Sequence, residues 1–376
     1  MQNFDAIRPY RDDEVPGVIE RLANDPALLR AAAAFFAPRL ARWLPGLARF
    51  AARRVIQRRT AGLDSVHDVQ LWLADHMARV VRDTTVELTI DGLDALEPGV
   101  PYLFLSNHRD IVMDSALLNF RLHQAGHRTA RVAVGDNLLT ERYAADLMRL
   151  NKSFVIERSV TGTRAVYQAI SRTSAYIRHS LEEGESVWIA QREGRAKDGY
   201  DRTEPALLKM LSLAYRKEVD GFGGLLERLR LVPVSVSYEL DPCDLRKAHE
   251  LFVAKRDGRY VKQPGEDLAS IVDGIIGFKG RVHLHLAPPL AGDFADADDL
   301  AGTLDRIIVG NMRVYPTQVA AARRLGEDCD DSAWPAVPRV MRAFESRLRA
   351  CPEAETPYLL GGYGNVVRHR RELGVA

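Results

Sequence analysis

The sequence predicts an α/β protein, a sandwich with a largely parallel central sheet flanked by helices, preceded by an amphipathic helical segment. Three observations lead there. From residue 86 onward, short apolar runs of strand length alternate with stretches at helical spacing, the pattern of successive strand–helix units. The chain has 376 residues, 46% of them hydrophobic, enough to bury a large core as one big domain with additions or as two. No run of 18 uninterrupted apolar residues occurs, so no membrane-spanning helix is expected.

The N-terminal stretch MQNFDAIRPYRDDEVP is polar and acidic, unlike a secretory signal. Residues 26–63 then carry eight arginines (Arg30, Arg39, Arg42, Arg49, Arg53, Arg54, Arg58, Arg59) and no acidic residue. Asp25-Pro26 has the form of an N-cap with proline at the first helical position, opening a helix that Pro38 ends. A second helix is expected over about 42–59. Arg42, Arg49 and Arg53 share one side of it, while Trp43, Leu44, Leu47, Phe50 and Ala51 spread over the other. Two readings stand at this point: an interfacial pair that sinks aromatics among acyl chains while its arginines meet anionic headgroups, or a hairpin packed on the core with its arginines solvated.

The expected strands are VELTI (86–90), YLFLS (102–106), RVAV (131–134), SFVI (153–156), SVWIA (186–190), LVPVSVSY (231–238) and RVHLHLA (281–287). Helical patterns fall near 114–124, 140–150, 163–183 and 205–216. Beyond about 290 the chain reads as helical and charged, ending in a Gly-rich tail, LLGGYGNVVRHRR. This gives three expected regions: a helical membrane-interfacial segment over 1–65, an α/β domain over 66–290 and a mostly helical extension over 291–376.

Composition excludes little by itself. A formal net charge of +1 gives no global argument for nucleic acid. Cys243, Cys329 and Cys351 are scattered, without a CxxC pair, so a reducing, cytosolic setting fits and no disulfide framework is indicated. His283 and His285 alternate in RVHLHLA, but no third ligand is evident in the sequence. They are expected as strand residues on one face, and no metal site is assigned.

The chemistry concentrates in LFLSNHRDIVMDSALLNF (103–120). His-Arg-Asp followed by apolar residues resembles the opening of a kinase catalytic loop, but that motif needs Asn five residues after the Asp, and Ser115 stands there. His108 instead follows an apolar strand directly, and Asp114 opens the next helix. Ligand sites in open α/β sheets lie at the carboxyl ends of strands. A histidine there, with a carboxylate to fix its tautomer, has what a general base needs. A strand-to-helix turn in which His108 and Asp110 merely cap is the plainer reading. Two further strand ends bear on the choice. KSFVIERS (152–159) ends in Arg158 before a helix entry, and SVWIAQREGRAKDG (186–199) ends in a loop with Glu193, Gly194, Arg195 and Lys197. Arginines and helix N-termini favour phosphate. A base beside phosphate clamps, with neither metal ligands nor a nucleophile, suggests proton removal from an alcohol on a phosphorylated substrate.

Four ordered blocks now resemble those of the phospholipid/glycerol acyltransferase family, which includes lysophosphatidate and glycerol-3-phosphate acyltransferases. They are NHxxxxD at Asn107-His108 to Asp114, a G-x-F-F-I-x-R-type strand at Lys152 to Arg158, an E-G-T-R-S-type loop at Glu193-Gly194-Arg195, and a V-P-type strand at Val232-Pro233-Val234. The match in order and spacing covers about residues 85–290. The departures are specific. Five residues rather than four separate His108 from Asp114, with Met113 at the expected place, so Asp114 or Asp110 is the partner and Asp114 is favoured. Lys152 replaces the usual glycine, and the third block reads EGRAKDG, with Arg195 one place early.

The resemblance implies a glycerolipid-acyltransferase-like fold and transfer of a fatty acyl group from acyl-CoA or acyl carrier protein, without an acyl-enzyme or bound cofactor. The acceptor it implies is a hydroxyl of a glycerol-phosphate lipid, 1-acyl-sn-glycerol-3-phosphate first. His108 would be the general base and Asp114 its orienting partner, while Asn107, Arg158, Glu193, Gly194, Arg195 and Lys197 would serve substrate binding. Alternatives are another acceptor (glycerol-3-phosphate, a lyso-ornithine lipid, another lysophospholipid) or a non-catalytic lipid- or acyl-carrier-binding protein of the same fold. An amphiphilic substrate favours the interfacial reading of the N-terminal helices. The expected location is then cytoplasmic, peripheral at the inner face of the cytoplasmic membrane.

Overall fold

The structure, a computed structural model, describes residues 3–139 and 141–375. Thr140, where the sequence reading begins a helix, lies outside these residues, as do Met1, Gln2 and Ala376 at the ends of the expected regions. Seven strands form among the described residues: β1 (Thr85–Asp91), β2 (Leu103–Ser106), β3 (Arg131–Gly135), β4 (Ser153–Ile156), β5 (Val187–Ala190), β6 (Leu231–Tyr238) and β7 (Gly280–Leu286). All seven were expected, within a residue or so at each end. The architecture is mixed α/β, and every strand pairing described here is parallel except β6 with β7. The chain divides into two compact units, Met1–His76 with Arg131–Tyr176, and Met77–Ala130 with Ile177–Ala376.

In the first unit, Asp25 caps the helix Pro26–Phe36 by accepting from the N–H groups of Ala27 and Leu28 at 2.8 and 2.9 Å, as an aspartate before proline should. The single helix expected over 42–59 is instead two, Pro38–Trp43 and Pro45–Arg59. Pro45 has no N–H to continue the ladder, and it opens a new helix at its first position. All eight arginines of this segment are exposed. So are Phe35, Phe36, Trp43, Leu44, Leu47, Phe50 and Val55, with Phe36 at 81% and Trp43 at 77%. Arg42 lies over the Trp43 ring and Arg54 over the Phe50 ring.

Elsewhere in this unit the helix Val15–Asn24 buries Val15, Val18 and Leu22 against Tyr143 and Leu150 of the helix Arg142–Leu150. Asp146 of that second helix takes Tyr10 Oη at 2.6 Å and Arg21 Nε at 2.8 Å. β3 and β4 pair in parallel, and the β4 backbone also binds the N-terminal arm, Val155 N–H donating to Ile7 C=O at 2.9 Å. Lys152, which leads into β4 where the resembling family has glycine, has φ +57°. That is the left-handed region, costly by about 1–2 kcal/mol for any residue with a Cβ.

In the second unit five strands run in the order β1-β7-β6-β2-β5. Every residue of β2 and β6 is buried, the near-continuous apolar run expected of a strand covered on both faces. β2, β5 and β6 are mutually parallel through β2, so their carboxyl ends meet at one edge. The region beyond 290 belongs to the same unit. The Gly-rich tail is not irregular: Thr356–Glu372 is a helix. Its glycines serve close approach, since a Cβ on Gly364 would stand 2.8 Å from the backbone nitrogen of Ala322 on the helix Pro316–Arg324.

Candidate active site

His108 is delivered by the end of β2. The next position in the ladder is held by a side chain: the Asn107 amide donates to Val236 C=O at 3.0 Å and accepts from Val236 N–H at 2.7 Å. Asn107 thus copies a backbone rung and extends the β2–β6 pairing by one residue. It is fully buried. The amide expected on substrate is engaged by β6, where it fixes the residue that follows.

Beyond His108 the chain winds around one carboxylate. Asp114 Oδ2 accepts from His108 Nδ1 at 2.9 Å, from Arg109 N–H at 2.7 Å and from Asp110 N–H at 3.0 Å. Its other oxygen accepts from the Tyr238 hydroxyl at 2.8 Å. This accommodates the fifth residue between His108 and Asp114: the extra length is taken up in a turn whose amides point at the same oxygen as the imidazole. Asp114 also sits in the first turn of the helix Met113–Gln124, where the helix dipole favours a negative charge. Sequence reasoning missed Tyr238. Its position at the carboxyl end of a strand parallel to β2 was the available signal. Burial raises the Tyr238 phenol well above its usual range, with the Asp114 charge adding to it, so the hydroxyl keeps its proton and donates.

Asp110 does a different job. One oxygen accepts from the N–H groups of Val112 and Met113 at 3.0 and 2.9 Å, bending the chain into the helix. The other is buried without a hydrogen-bond partner, facing Gly274, where a Cβ would lie 2.3 Å away. Burial pushes this carboxyl above its usual value, and the Asp114 charge pushes the same way. A side chain so placed shapes the turn, and Asp114 holds the histidine.

The third-block loop is stitched to this turn. Ala196 N–H donates to His108 C=O at 2.8 Å, and Gln191 N–H to Ser106 C=O at 2.8 Å. Trp188 of β5 donates its indole N–H to Ser106 Oγ at 3.0 Å and meets the His108 ring edge-on, centroids 5.9 Å apart. Arg109 pairs with buried Asp201 and gives its carbonyl to Lys247 Nζ at 2.6 Å. Lys247 in turn pairs with Asp241; burial opposes the charge there, but the ammonium prevails and Asp241 lies below the usual carboxylate range. Of the basic residues expected to meet phosphate, Lys197 is paired with Glu250. Arg195 is half-buried, and its Nη1 is a buried donor with no hydrogen-bond partner. Glu193 and Gly194 are exposed, with Gly194 at φ +75°.

The C-terminal helix braces this loop. Asn365 Nδ2 donates to Asp198 C=O at 2.8 Å, and Gly199 (φ +85°) passes so close that a Cβ would stand 2.7 Å from Gly361 C=O. Tyr238 also lines a partly open cavity of about 30 Å³, together with Lys197, Asp241, Lys247 and Tyr363 among others. It has room for water.

Arg158 belongs to the first unit. It is exposed just beyond β4, and its side chain crosses the end of β3, where a Cβ on Gly135 would be 3.1 Å from Arg158 Cδ. Asp136 holds the backbone there by accepting from Ser159 N–H at 3.0 Å.

Residues 87–235 match a family model described as Acyltransferase. That span contains all four blocks, so the resemblance read from them is borne out. Among solved structures, the 1-acyl-sn-glycerophosphate (LPA) acyltransferase PlsC from Thermotoga maritima is similar with a TM-score of 0.40 and 12% identity. The similarity covers 81% of this chain and 98% of that one. No curated protein sequence matches.

Proposed function

We propose, from the acyltransferase family to which residues 87–235 belong, that this protein moves a fatty acyl group from a thioester to a glycerol-phosphate lipid. The donor is acyl-CoA or acyl carrier protein, and the acceptor is the free hydroxyl of 1-acyl-sn-glycerol-3-phosphate. The single observation that carries the reading is the His108 Nδ1–Asp114 Oδ2 hydrogen bond at the end of β2. With Asp114 accepting from Nδ1–H, the lone pair is on Nε2. Nε2 takes the acceptor hydroxyl's proton as its oxygen attacks the thioester carbonyl. The tetrahedral intermediate then expels the thiolate, which recovers that proton from the imidazolium. Four donors fix the Asp114 carboxyl group in place against the Nδ1 side of the ring, so His108 presents Nε2 in one orientation.

For the acceptor phosphate we assign Arg195, whose buried Nη1 has no hydrogen-bond partner; a phosphate role for Arg158 rests on the resemblance of the second block alone. The altered third block, with Lys197 on Glu250, supports a second acceptor reading: glycerol-3-phosphate or another lysolipid. We also propose that the protein docks on the inner face of the cytoplasmic membrane through residues 26–59. Supporting this, aromatic and aliphatic side chains stand exposed among eight exposed arginines, a composition that suits an anionic bilayer surface. No helix among the described residues is long and apolar enough to cross a membrane.

The test is purified protein on anionic liposomes with labelled acyl-CoA, repeated with acyl carrier protein, across a panel of acceptors. Phosphatidic acid formed from 1-acyl-sn-glycerol-3-phosphate is the expected product. Transfer to another acceptor alone moves the assignment within the class, and no transfer with any pair counts for a non-catalytic lipid-binding role.

A further inference from the structure

The second unit brings together histidines that the sequence left without a partner. β1 and β7 run parallel in register, with Thr89 opposite His283 and Asp91 opposite His285. Because side chains alternate along a strand, these four residues share one face of the sheet. One ligand atom each from Asp91, His283 and His285 lies within 4.8 Å of the other two. Ligands on a common zinc ion, at about 2.0–2.2 Å from it, stand roughly 3–4 Å apart, so small side-chain rotations close the set.

We propose that Asp91, His283 and His285 form a binding site for one divalent transition-metal ion of the zinc class, clipping edge strand β1 to β7. The outer contacts fit. His283 Nδ1 is 2.8 Å from Thr89 Oγ1, which orients the ring and leaves Nε2 facing Asp91, 3.5 Å from its Oδ2. Metal-binding histidines commonly have the second ring nitrogen held in this way. Two imidazoles and a carboxylate suit zinc, nickel or cobalt better than magnesium or calcium, and a fourth position remains for water. Asp91 is exposed and His285 half-buried, so an ion has a path from solvent.

Arg313 is the competitor. Its guanidinium donates to Thr89 Oγ1 at 3.0 Å and to Asp91 Oδ2 at 3.1 Å, and it lies over the Trp334 ring at 4.2 Å. In this arrangement the guanidinium neutralises Asp91. An arriving ion displaces it from the carboxylate while the Thr89 and Trp334 contacts keep it nearby. The site is therefore selective for ions that bind imidazole strongly, since oxygen-seeking cations gain too little to displace the arginine.

The test is calorimetric titration of zinc into the untagged, chelator-treated full chain, with Asp91→Asn and His285→Gln measured alongside. One ion per chain is expected, with affinity at least tenfold weaker in each variant. Zinc should also raise the melting temperature of the wild type and not of the variants. An Arg313→Gln chain, in which Asp91 is released, should bind more tightly. Absence of one-to-one binding, one-to-one binding that neither ligand variant weakens, or weaker binding by Arg313→Gln overturns the proposal.

Discussion

In the turn from Asn107 to Asp114 the chain is tied down at residue after residue, whereas the helices from Pro26 to Arg59 leave eight arginines and seven large apolar side chains in solvent. The contrast shows in how arginine is treated. Arg109 in the turn is held by buried Asp201, while Arg30, Arg39 and Arg42 form no ion pair among the described residues. A group that must present one nitrogen to a substrate needs its orientation over-determined, because a misplaced base loses most of its effect. A surface that meets a fluid bilayer needs area and charge, not register. Under the proposed function the two regions would serve the two halves of one task, chemistry and access to an insoluble substrate.

The largest effect expected is on the tied region. Asp114→Ala removes the acceptor that fixes the His108 tautomer, and kcat/KM should fall by about 10²–10⁴-fold while liposome binding is unchanged. Co-sedimentation measured beside activity checks the separation. The reverse should hold at the exposed region. Replacing Phe36 and Trp43 together by serine removes roughly 1.5–3 kcal/mol of apolar burial per side chain in the bilayer, so binding to anionic liposomes drops. Melting temperature and transfer to a detergent-dispersed acceptor should stay close to wild type. A variant that loses stability instead would show these rings belong to the core.

A smaller effect sharpens the role of the C-terminal helix. Gly364→Ala drives a methyl into the Ala322 backbone and should cost about 1–3 kcal/mol of stability, read as a lowered denaturation midpoint. Smallest is Asp110→Asn, which should leave kcat/KM near wild type because Asp114 holds His108. It should, however, change the pH dependence of stability. The Asp110 carboxyl is raised in the fold, so its contribution is fully present below the unfolded value of about 3.9 and is lost as pH rises through the folded value. The variant removes that loss, and denaturation midpoints followed from acid to neutral pH will show it. A large loss of activity would make Asp110 the histidine's partner after all.

The strands were legible because their apolar runs are short and bounded, and the site's strand ends followed from them. The His108–Asp114 pair was legible from residue type and order, but its five-residue spacing only makes sense once the Arg109 and Asp110 amides are seen on the same carboxylate. Tyr238 was hidden because it is 124 positions from its partner, a contact made by parallel strand order. Asp91 was hidden for the same reason, brought to His283 and His285 by the pairing of β1 with β7. Pro45 broke an expected helix by a rule the sequence contained. The glycines of LLGGYGNVVRHRR look like loop residues until helix-to-backbone packing explains them.

If His108 is the base for acyl transfer, single-turnover transfer from labelled acyl-CoA to liposomal 1-acyl-sn-glycerol-3-phosphate will depend on it. Wild type and His108→Ala would be compared at equal membrane-bound protein. Bound protein is expected in both, with a rate at least about 10²-fold lower in the variant. A His108→Ala chain that transfers at the wild-type rate would contradict that role.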